Sequence, residues 1–161
     1  MLTEERFTTL ANRHMDIIFR IAFSYLKSRE DADDVTQNVL LALYRTDKQF
    51  RDGEHLKAWL IRVTVNESKK VLRAPWRRRS ESLEDYAASL VFDGPEDREL
   101  FSAIMALDVK YRSVIVLYYY EGYSIAEIGG LLSLPPATVG TRLARARQKL
   151  KFTLTEAESY E

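Results

Sequence analysis

The sequence contains no cysteine, which excludes disulfide bonds and thiol chemistry and argues against a structural zinc site. Its two histidines, His14 and His55, are isolated, and it has neither metal-ligand spacing nor a glycine-rich phosphate loop. We therefore predict no catalytic centre, metal or cofactor. No run of about 18 apolar residues occurs, so no membrane span is expected. The first ten residues carry acids and lack the apolar core of a signal peptide, so we expect a cytoplasmic protein.

The chain also has no net charge, yet its charges are strongly segregated. Lysine and arginine together number 24, and so do aspartate and glutamate. Residues 57–79 hold eight basic side chains against one acid, residues 81–99 hold seven acids against one arginine, and residues 136–151 hold five basic side chains and no acid. Two basic regions separated by an acidic one favour two separate contacts with nucleic acid, because phosphate binding depends on local positive charge.

Hydrophobic residues recur at helical spacing, and no segment alternates convincingly with the period of a strand. The 161 residues, 46% of them hydrophobic, allow one domain or two small ones with real cores. We therefore predict an all-α fold of two helical domains joined by a linker, the second containing a helix-turn-helix. The longer helices are expected at residues 4–26, 31–44, 55–73, 96–107 and 109–121.

A charged segment whose sign changes midway separates the two groups of helices. Residues 76–95 end in Gly94-Pro95 and are predicted to be a linker, with a short helix around residues 83–90. The predicted organisation is a first domain at residues 1–75, the linker at 76–95, a second domain at 96–152 and a frayed tail at 153–161.

Residues 124–151 have the pattern of a helix-turn-helix. Ser124 followed by Glu127 predicts a capping box at the start of a short helix. Pro135-Pro136 ends that helix and suits the first turn of a second one. This pair of helices, the second of them basic, is typical of a reader of duplex DNA. The alternative is an ordinary helical hairpin with a solvated basic face. The apolar stripe of the second helix consists of Val139, Leu143, Ala146 and Leu150.

Four polar side chains of the second helix lie off its apolar stripe and are candidates for DNA contact. Arginine can bind guanine through two hydrogen bonds, and threonine can contact a thymine methyl group or a phosphate. These candidates are Thr138, Thr141, Arg142 and Arg145.

An acidic cluster with a glutamine opens the predicted second helix, at Asp31, Asp33, Asp34 and Gln37. The last three lie within about one helical turn and can present a joint polar face to a partner. Acids near a helix N-terminus are also favoured by the helix dipole. The residues alone leave both interpretations open.

The predicted third helix combines an aromatic residue with cations. Stacking on an aromatic ring tolerates any base and cations follow phosphates, so such a helix suits unpaired DNA. Two alternatives remain open on patterning: Trp59 belongs to the core, and the lysines and arginines form a solvated face.

These three motifs, in this order and at these distances, resemble regions 2 and 4 of the extracytoplasmic-function (ECF) group of bacterial sigma factors. The resemblance covers nearly the whole chain outside the linker and tail. It implies that the acidic cluster docks on the clamp coiled coil of core RNA polymerase. It also implies that Phe50 and Asn66 flank a specificity loop, residues 51–56, and line a pocket for a base flipped from the −10 element. The implied −10 residues are Phe50, Lys57, Trp59, Arg62, Asn66, Lys69, Lys70 and Arg73.

The resemblance assigns the helix-turn-helix to the −35 element. Thr138, Thr141, Arg142 and Arg145 are then base-edge or phosphate contacts, and Arg112 and Ser124 are phosphate contacts, Ser124 through its helix N-terminus. Three residues depart from the family pattern. Asn38 stands where an acid is common, Gly140 stands where a polar or basic residue is common, and Ser133 replaces the usual turn glycine.

The function predicted from the resemblance is that of a non-catalytic sigma factor. It would bind core RNA polymerase, recognise the −35 and −10 elements of promoter DNA and help to melt the −10 region. An anti-sigma factor is expected as a further partner. The alternative is a helix-turn-helix transcription regulator that is not a polymerase subunit, which leaves the acidic cluster and the Trp59 helix unexplained.

Overall fold

Seven α-helices and one π-helical segment make up the secondary structure in the computed structural model, which describes residues 2–74 and 94–159. No strand occurs in these two ranges, and the predicted all-α fold is confirmed. In chain order the elements are α1 Glu4–Leu26, α2 Arg29–Arg45, α3 Gly53–Arg73, α4 Pro95–Met105, α5 Val109–Ile115, the π segment Val116–Tyr120, α6 Ile125–Leu132 and α7 Pro136–Ser159.

Side-chain caps fix where the first three helices begin. The Thr3 side chain accepts a hydrogen bond from the N–H of Arg6 at 3.2 Å, the Ser28 hydroxyl accepts from Asp31 at 3.1 Å and the Asp52 carboxylate accepts from His55 at 2.8 Å. A cap of this kind contributes about 1 kcal/mol of helix stability. The caps place the starts of α2 and α3 two residues before the predicted ones.

Helices α1 to α3 form the first of two compact units, which is described over residues 2–74. One apolar stripe from each helix meets in its core, and burying each such side chain is worth roughly 1.5–3 kcal/mol. Side chains that are at most 1% exposed include Ile18, Ile21, Leu26, Val35, Val39, Leu43, Leu60, Ile61 and Val65.

Helices α4 to α7 form the second unit, described over residues 94–159. Val139, Leu143 and Ala146 of α7 are fully buried as predicted, together with Ile128 of α6. The predicted helix at residues 109–121 is α-helical only as far as Ile115 and continues as the π segment. Gly122, at φ +75°, follows and separates this segment from α6.

The C-terminal residues differ from the prediction. A frayed tail was expected from Thr153, but α7 continues as helix through Ser159, because neither glycine nor proline interrupts the sequence there. Most of the predicted linker, including the short helix expected at residues 83–90, lies outside the described residues.

Candidate nucleic-acid and polymerase interfaces

One face of α3 gathers most of the cations predicted to hold the −10 strand. Trp59, Arg62, Asn66, Lys69 and Arg73 follow one another at intervals of three or four residues, which places them on the same side of the helix. Arg62, Asn66 and Arg73 are exposed, whereas Trp59 and Lys69 are half-buried. Lys70 is exposed beside this face, and its ammonium group donates to the carboxylate of Glu67 at 3.2 Å.

The aromatic residues before and within α3 form a cluster around Phe50. Its ring centroid lies 5.4 Å from those of both His55 and Trp59. The imidazole of His55 is itself held, because its Nδ1 accepts the N–H of Arg51 at 3.0 Å. Phe50 and Trp59 are both half-buried, so Trp59 contributes to packing and still presents part of its ring to solvent. The cluster therefore offers a fixed aromatic surface for stacking.

A groove of about 760 Å³ lies between the start of α1 and the loop that precedes α3. Phe50 and Lys57 line it, as do cations that the sequence interpretation did not assign to DNA. The seven-residue spacing of the first two, on α1, could have suggested a shared face, but the loop cations carried no periodic signal. These additional cations are Arg6, Arg13, Lys48 and Arg51.

His14 also lines this groove, although only 7% of its surface is exposed. Burial lowers the pKa of its imidazole below the ordinary value, and the charges of Arg13 and Lys57 lower it further, while Glu54 opposes them. The neutral imidazole is therefore the favoured form in the folded chain near neutral pH.

Asn66 does not line the groove that Phe50 lines. Phe50 packs on Trp59, and Asn66 lies seven residues further along α3, about 10 Å along the helix axis. The predicted arrangement of Phe50 and Asn66 around one pocket is therefore not present in this groove. Asn66 belongs instead to the exposed cationic face of α3.

The acidic cluster on α2 is divided by burial. Asp33, Asp34 and Gln37 are exposed and share one face of the helix, as predicted. Asp31 is only 3% exposed, and its N–H bonds to the Ser28 cap, so its assignment to a docking surface is corrected to a role at the helix start. Leu41 extends the exposed face by one turn and is 43% exposed, a signal that sequence patterning did not reveal.

The turn of the helix-turn-helix is closed by backbone contacts. Ser124 and Glu127 form the predicted capping box, with bonds of 3.1 Å and 3.0 Å. The bond donated by the Ser124 N–H is the main cause that lowers the pKa of Glu127. Ser133, in the position of the usual glycine, has the left-handed conformation at φ 57°. The N–H of Leu134 then donates to the carbonyl of Gly129 at 2.9 Å.

Capping changes the interpretation of Ser124 as a phosphate contact. Its hydroxyl and its N–H are both engaged by Glu127. The Glu127 carboxylate lies at the same helix N-terminus, so it repels an anion that approaches there. The geometry therefore favours a structural role for Ser124.

All four predicted DNA contacts of α7 line one hollow of about 370 Å³. Thr138, Thr141, Arg142 and Arg145 lie at helical spacing on a single face. Lys110 and Tyr111 of α5 complete the lining, and the sequence gave no reason to place them there. Gly140 adds no side chain, and nothing lies within 4 Å of the position that its Cβ would take. The hollow is basic and carries no acid among its lining residues.

Arg112, predicted to contact phosphate, is buried inside the second unit. It is 4% exposed, and its guanidinium donates to the carbonyl oxygens of Leu107 at 2.6 Å and Met105 at 3.4 Å. These carbonyls lie at and just after the end of α4, where backbone acceptors lack helical partners. The prediction is corrected accordingly, because Arg112 joins α5 to the end of α4.

Arg147 lies on the side of α7 opposite the hollow. Its guanidinium carbon is 5.5 Å and 5.4 Å from the ring centroids of Tyr118 and Tyr119, and it donates a hydrogen bond to the Tyr119 hydroxyl. That hydrogen bond is the main cause that raises the pKa of Arg147. The basic charge of α7 is thus split between a DNA-facing side and an aromatic contact.

Two family models match the two units in turn, sigma-70 region 2 over residues 10–78 and sigma-70 region 4 over residues 97–150. The ECF RNA polymerase sigma factor SigM of Mycobacterium tuberculosis is 32% identical over 146 residues, which cover 89% of this chain and 74% of SigM. This chain belongs to the ECF sigma factor family.

Further similarities extend across nearly the whole of this ECF sigma factor. SigE of Mycolicibacterium smegmatis is 30% identical over 160 residues, although the chain spans only 62% of that relative's length. Among solved structures, CnrH in complex with the cytosolic domain of CnrY is similar, with a TM-score of 0.66, 31% identity and coverage of 96% of this chain and 90% of CnrH. The recognition of regions 2 and 4 from sequence is thereby confirmed.

The ECF sigma factor has no described element suited to metal binding or membrane insertion. Over residues 2–74 and 94–159, no cluster of three or more acidic, histidine or cysteine side chains could hold a metal ion. Within the same ranges no helix has both the length and the apolarity to cross a bilayer.

Proposed function

We propose that this sigma factor binds core RNA polymerase through Asp33, Asp34, Gln37 and Leu41, the exposed face of α2. Three polar side chains and one exposed leucine on a single helix face form a surface of the kind that protein partners bury. Asp31 lies below this face and holds the start of the helix.

The −10 strand is held on the Phe50–Trp59 cluster and the cations of α3. The aromatic rings offer stacking to unpaired bases, while Arg62, Lys69 and Arg73 follow the backbone. The groove beside Phe50, which is rich in cations, continues this surface toward α1.

The −35 element is read by α7. The observation that carries this proposal is the single basic hollow lined by Thr138, Thr141, Arg142 and Arg145. An exposed helix of a helix-turn-helix fits the major groove, where arginine and threonine distinguish base edges. Arg112 and Ser124 support the fold of this unit and make no contact in the proposal.

The protein acts without chemistry of its own, in the cytoplasm where polymerase and promoter DNA are found. A protein that masks one or both units, such as an anti-sigma factor, completes the proposed set of partners. CnrH, at 31% identity, is bound in its solved structure by the cytosolic domain of CnrY, which supports a partner of this type.

Copurification with core RNA polymerase tests the proposal. The tagged wild-type chain should retain core polymerase, and the combined variant Asp33→Asn, Asp34→Asn, Gln37→Ala should lose most of it. Asp16→Asn, which removes an exposed acid from α1, is the matched control and should bind like the wild type. A wild-type chain that binds promoter DNA but retains no polymerase would support the alternative, a regulator that acts alone.

A further inference from the structure

Two lysines from different helices lie over the ring of Tyr111. The ammonium nitrogen of Lys110 is 5.1 Å from the ring centroid, and that of Lys149 on α7 is 5.5 Å from it, within the cation–π range of about 6 Å. Tyr111 is 7% exposed, so its ring is a fixed platform, whereas both lysines are exposed. The two ammonium groups can be no farther apart than twice the longer distance, and like charges held this close favour an anion between them.

The lysines are continuous with the DNA-reading face of α7. Lys110 lines the hollow of Thr138 and Arg145, and Lys149 lines a second hollow of about 770 Å³. Tyr111 and Arg145 line both hollows, which join them into one surface. Asp108 is the acid among the lining residues of the second hollow, against the cations Arg145 and Lys149.

The length of α7 places Lys149 beyond the base edges. It lies eleven residues after Thr138, or about 16 Å along the helix axis. The major groove is about 12 Å wide, so a helix whose first turns contact bases has its later turns beside the phosphate backbone. One strand carries a charge about every 3.4 Å along the axis, so two ammonium groups about 11 Å apart at most span about three phosphates.

We propose that Lys110 and Lys149, set in place by Tyr111, form a phosphate clamp that holds one DNA strand beside the −35 element. The inference rests on the proposed −35 role of α7 and adds positioning residues from a second helix. Phosphate contacts fix register and carry no base information. The clamp therefore strengthens binding equally for all −35 sequences and increases its dependence on salt.

The test uses the full chain assembled with core RNA polymerase on a promoter selected for wild-type initiation. Binding is measured between 50 and 200 mM salt for the wild type and for Lys110→Gln/Lys149→Gln. Each lost phosphate contact should lower the slope of log K against log salt by about 0.9, so the ratio of wild-type to variant affinity should change about tenfold across this range. The −35 base preference, measured by selection from a library, should be unchanged.

Two further variants separate a phosphate contact from a structural effect. Lys110→Arg/Lys149→Arg keeps the charges and should restore the wild-type slope. Lys151→Gln removes an exposed cation from the other side of α7 and should leave the slope unchanged. A specific wild-type complex with the same slope in the Gln variant would overturn the clamp alone, and so would an altered −35 preference. A wild-type holoenzyme with no specific complex would overturn the proposed function and the clamp with it.

Discussion

The carbonyl oxygen of Leu134 lies 2.7 Å from the position that a Cβ atom on Gly129 would occupy. The N–H of Leu134 also donates to the carbonyl of Gly129 at 2.9 Å. The turn between α6 and α7 therefore passes directly over residue 129, and a side chain there would displace backbone. This contact sets the approach of α7 to α6 and so the presentation of the DNA-reading hollow.

Gly129→Ala is predicted to destabilise the second unit by about 1–3 kcal/mol, because the backbone of the turn must move. Gly130→Ala is the matched control, since nothing lies within 4 Å of its Cβ position. That change should instead stabilise α6 by up to about 1 kcal/mol through helix propensity. Urea unfolding with hydrogen exchange across residues 125–150 measures both, and equal effects of the two changes would contradict the close contact.

Ser133→Gly is predicted to stabilise the same unit by about 1 kcal/mol. Ser133 has φ 57°, a left-handed conformation that costs an L-residue about 1–2 kcal/mol and costs glycine almost nothing. Ser133→Ala keeps the Cβ atom and should give no such gain. Thermal unfolding compares the three chains, and the account fails here if alanine stabilises as much as glycine.

Arg112→Met is predicted to lower the free energy of unfolding by about 1.5–3 kcal/mol, because the carbonyls of Leu107 and Met105 lose a charged donor. The salt dependence of DNA binding by the remaining folded protein should be unchanged, since Arg112 is buried. Unfolding and binding are measured on the same preparation. A stable variant with a reduced salt slope would restore Arg112 as a phosphate contact.

The first unit should lose stability as the pH falls through the range below about 6.5. Burial lowers the pKa of His14 in the folded chain, so the unfolded chain binds the proton more readily and unfolding is favoured as protons are added. The contribution is fully present above the unfolded pKa. Denaturant unfolding at pH 7.5 and 5.5 should show a larger decrease for the wild type than for His14→Gln. Equal decreases in the two chains would exclude His14 as the cause.

Helical periodicity was sufficient to predict the existence and order of the helices, because each buries an apolar stripe that recurs every three or four residues. Their ends were less predictable. Ser28 and Asp52 were not recognised as caps, so α2 and α3 were predicted to start two residues late. The end of α7 was also missed, because a charged and polar segment such as residues 153–159 is compatible with either helix or tail.

The site residues that sequence reasoning placed correctly share one helix face. Thr138, Thr141, Arg142 and Arg145 meet in one hollow because helical spacing alone brings them together. Burial of charged residues was not predictable in this way. Arg112 and Asp31 are enclosed by neighbouring helix ends, and Lys110 reaches the hollow only because α5 packs against α7.

Run-off transcription by core RNA polymerase with the purified chain, on a promoter library, tests the central claim most directly. The account predicts initiation from a distinct set of promoters that share a −35 and a −10 element, with −35 preference lost in Arg142→Ala/Arg145→Ala. Specific DNA binding without any specific initiation would contradict the assignment of this chain as a polymerase subunit.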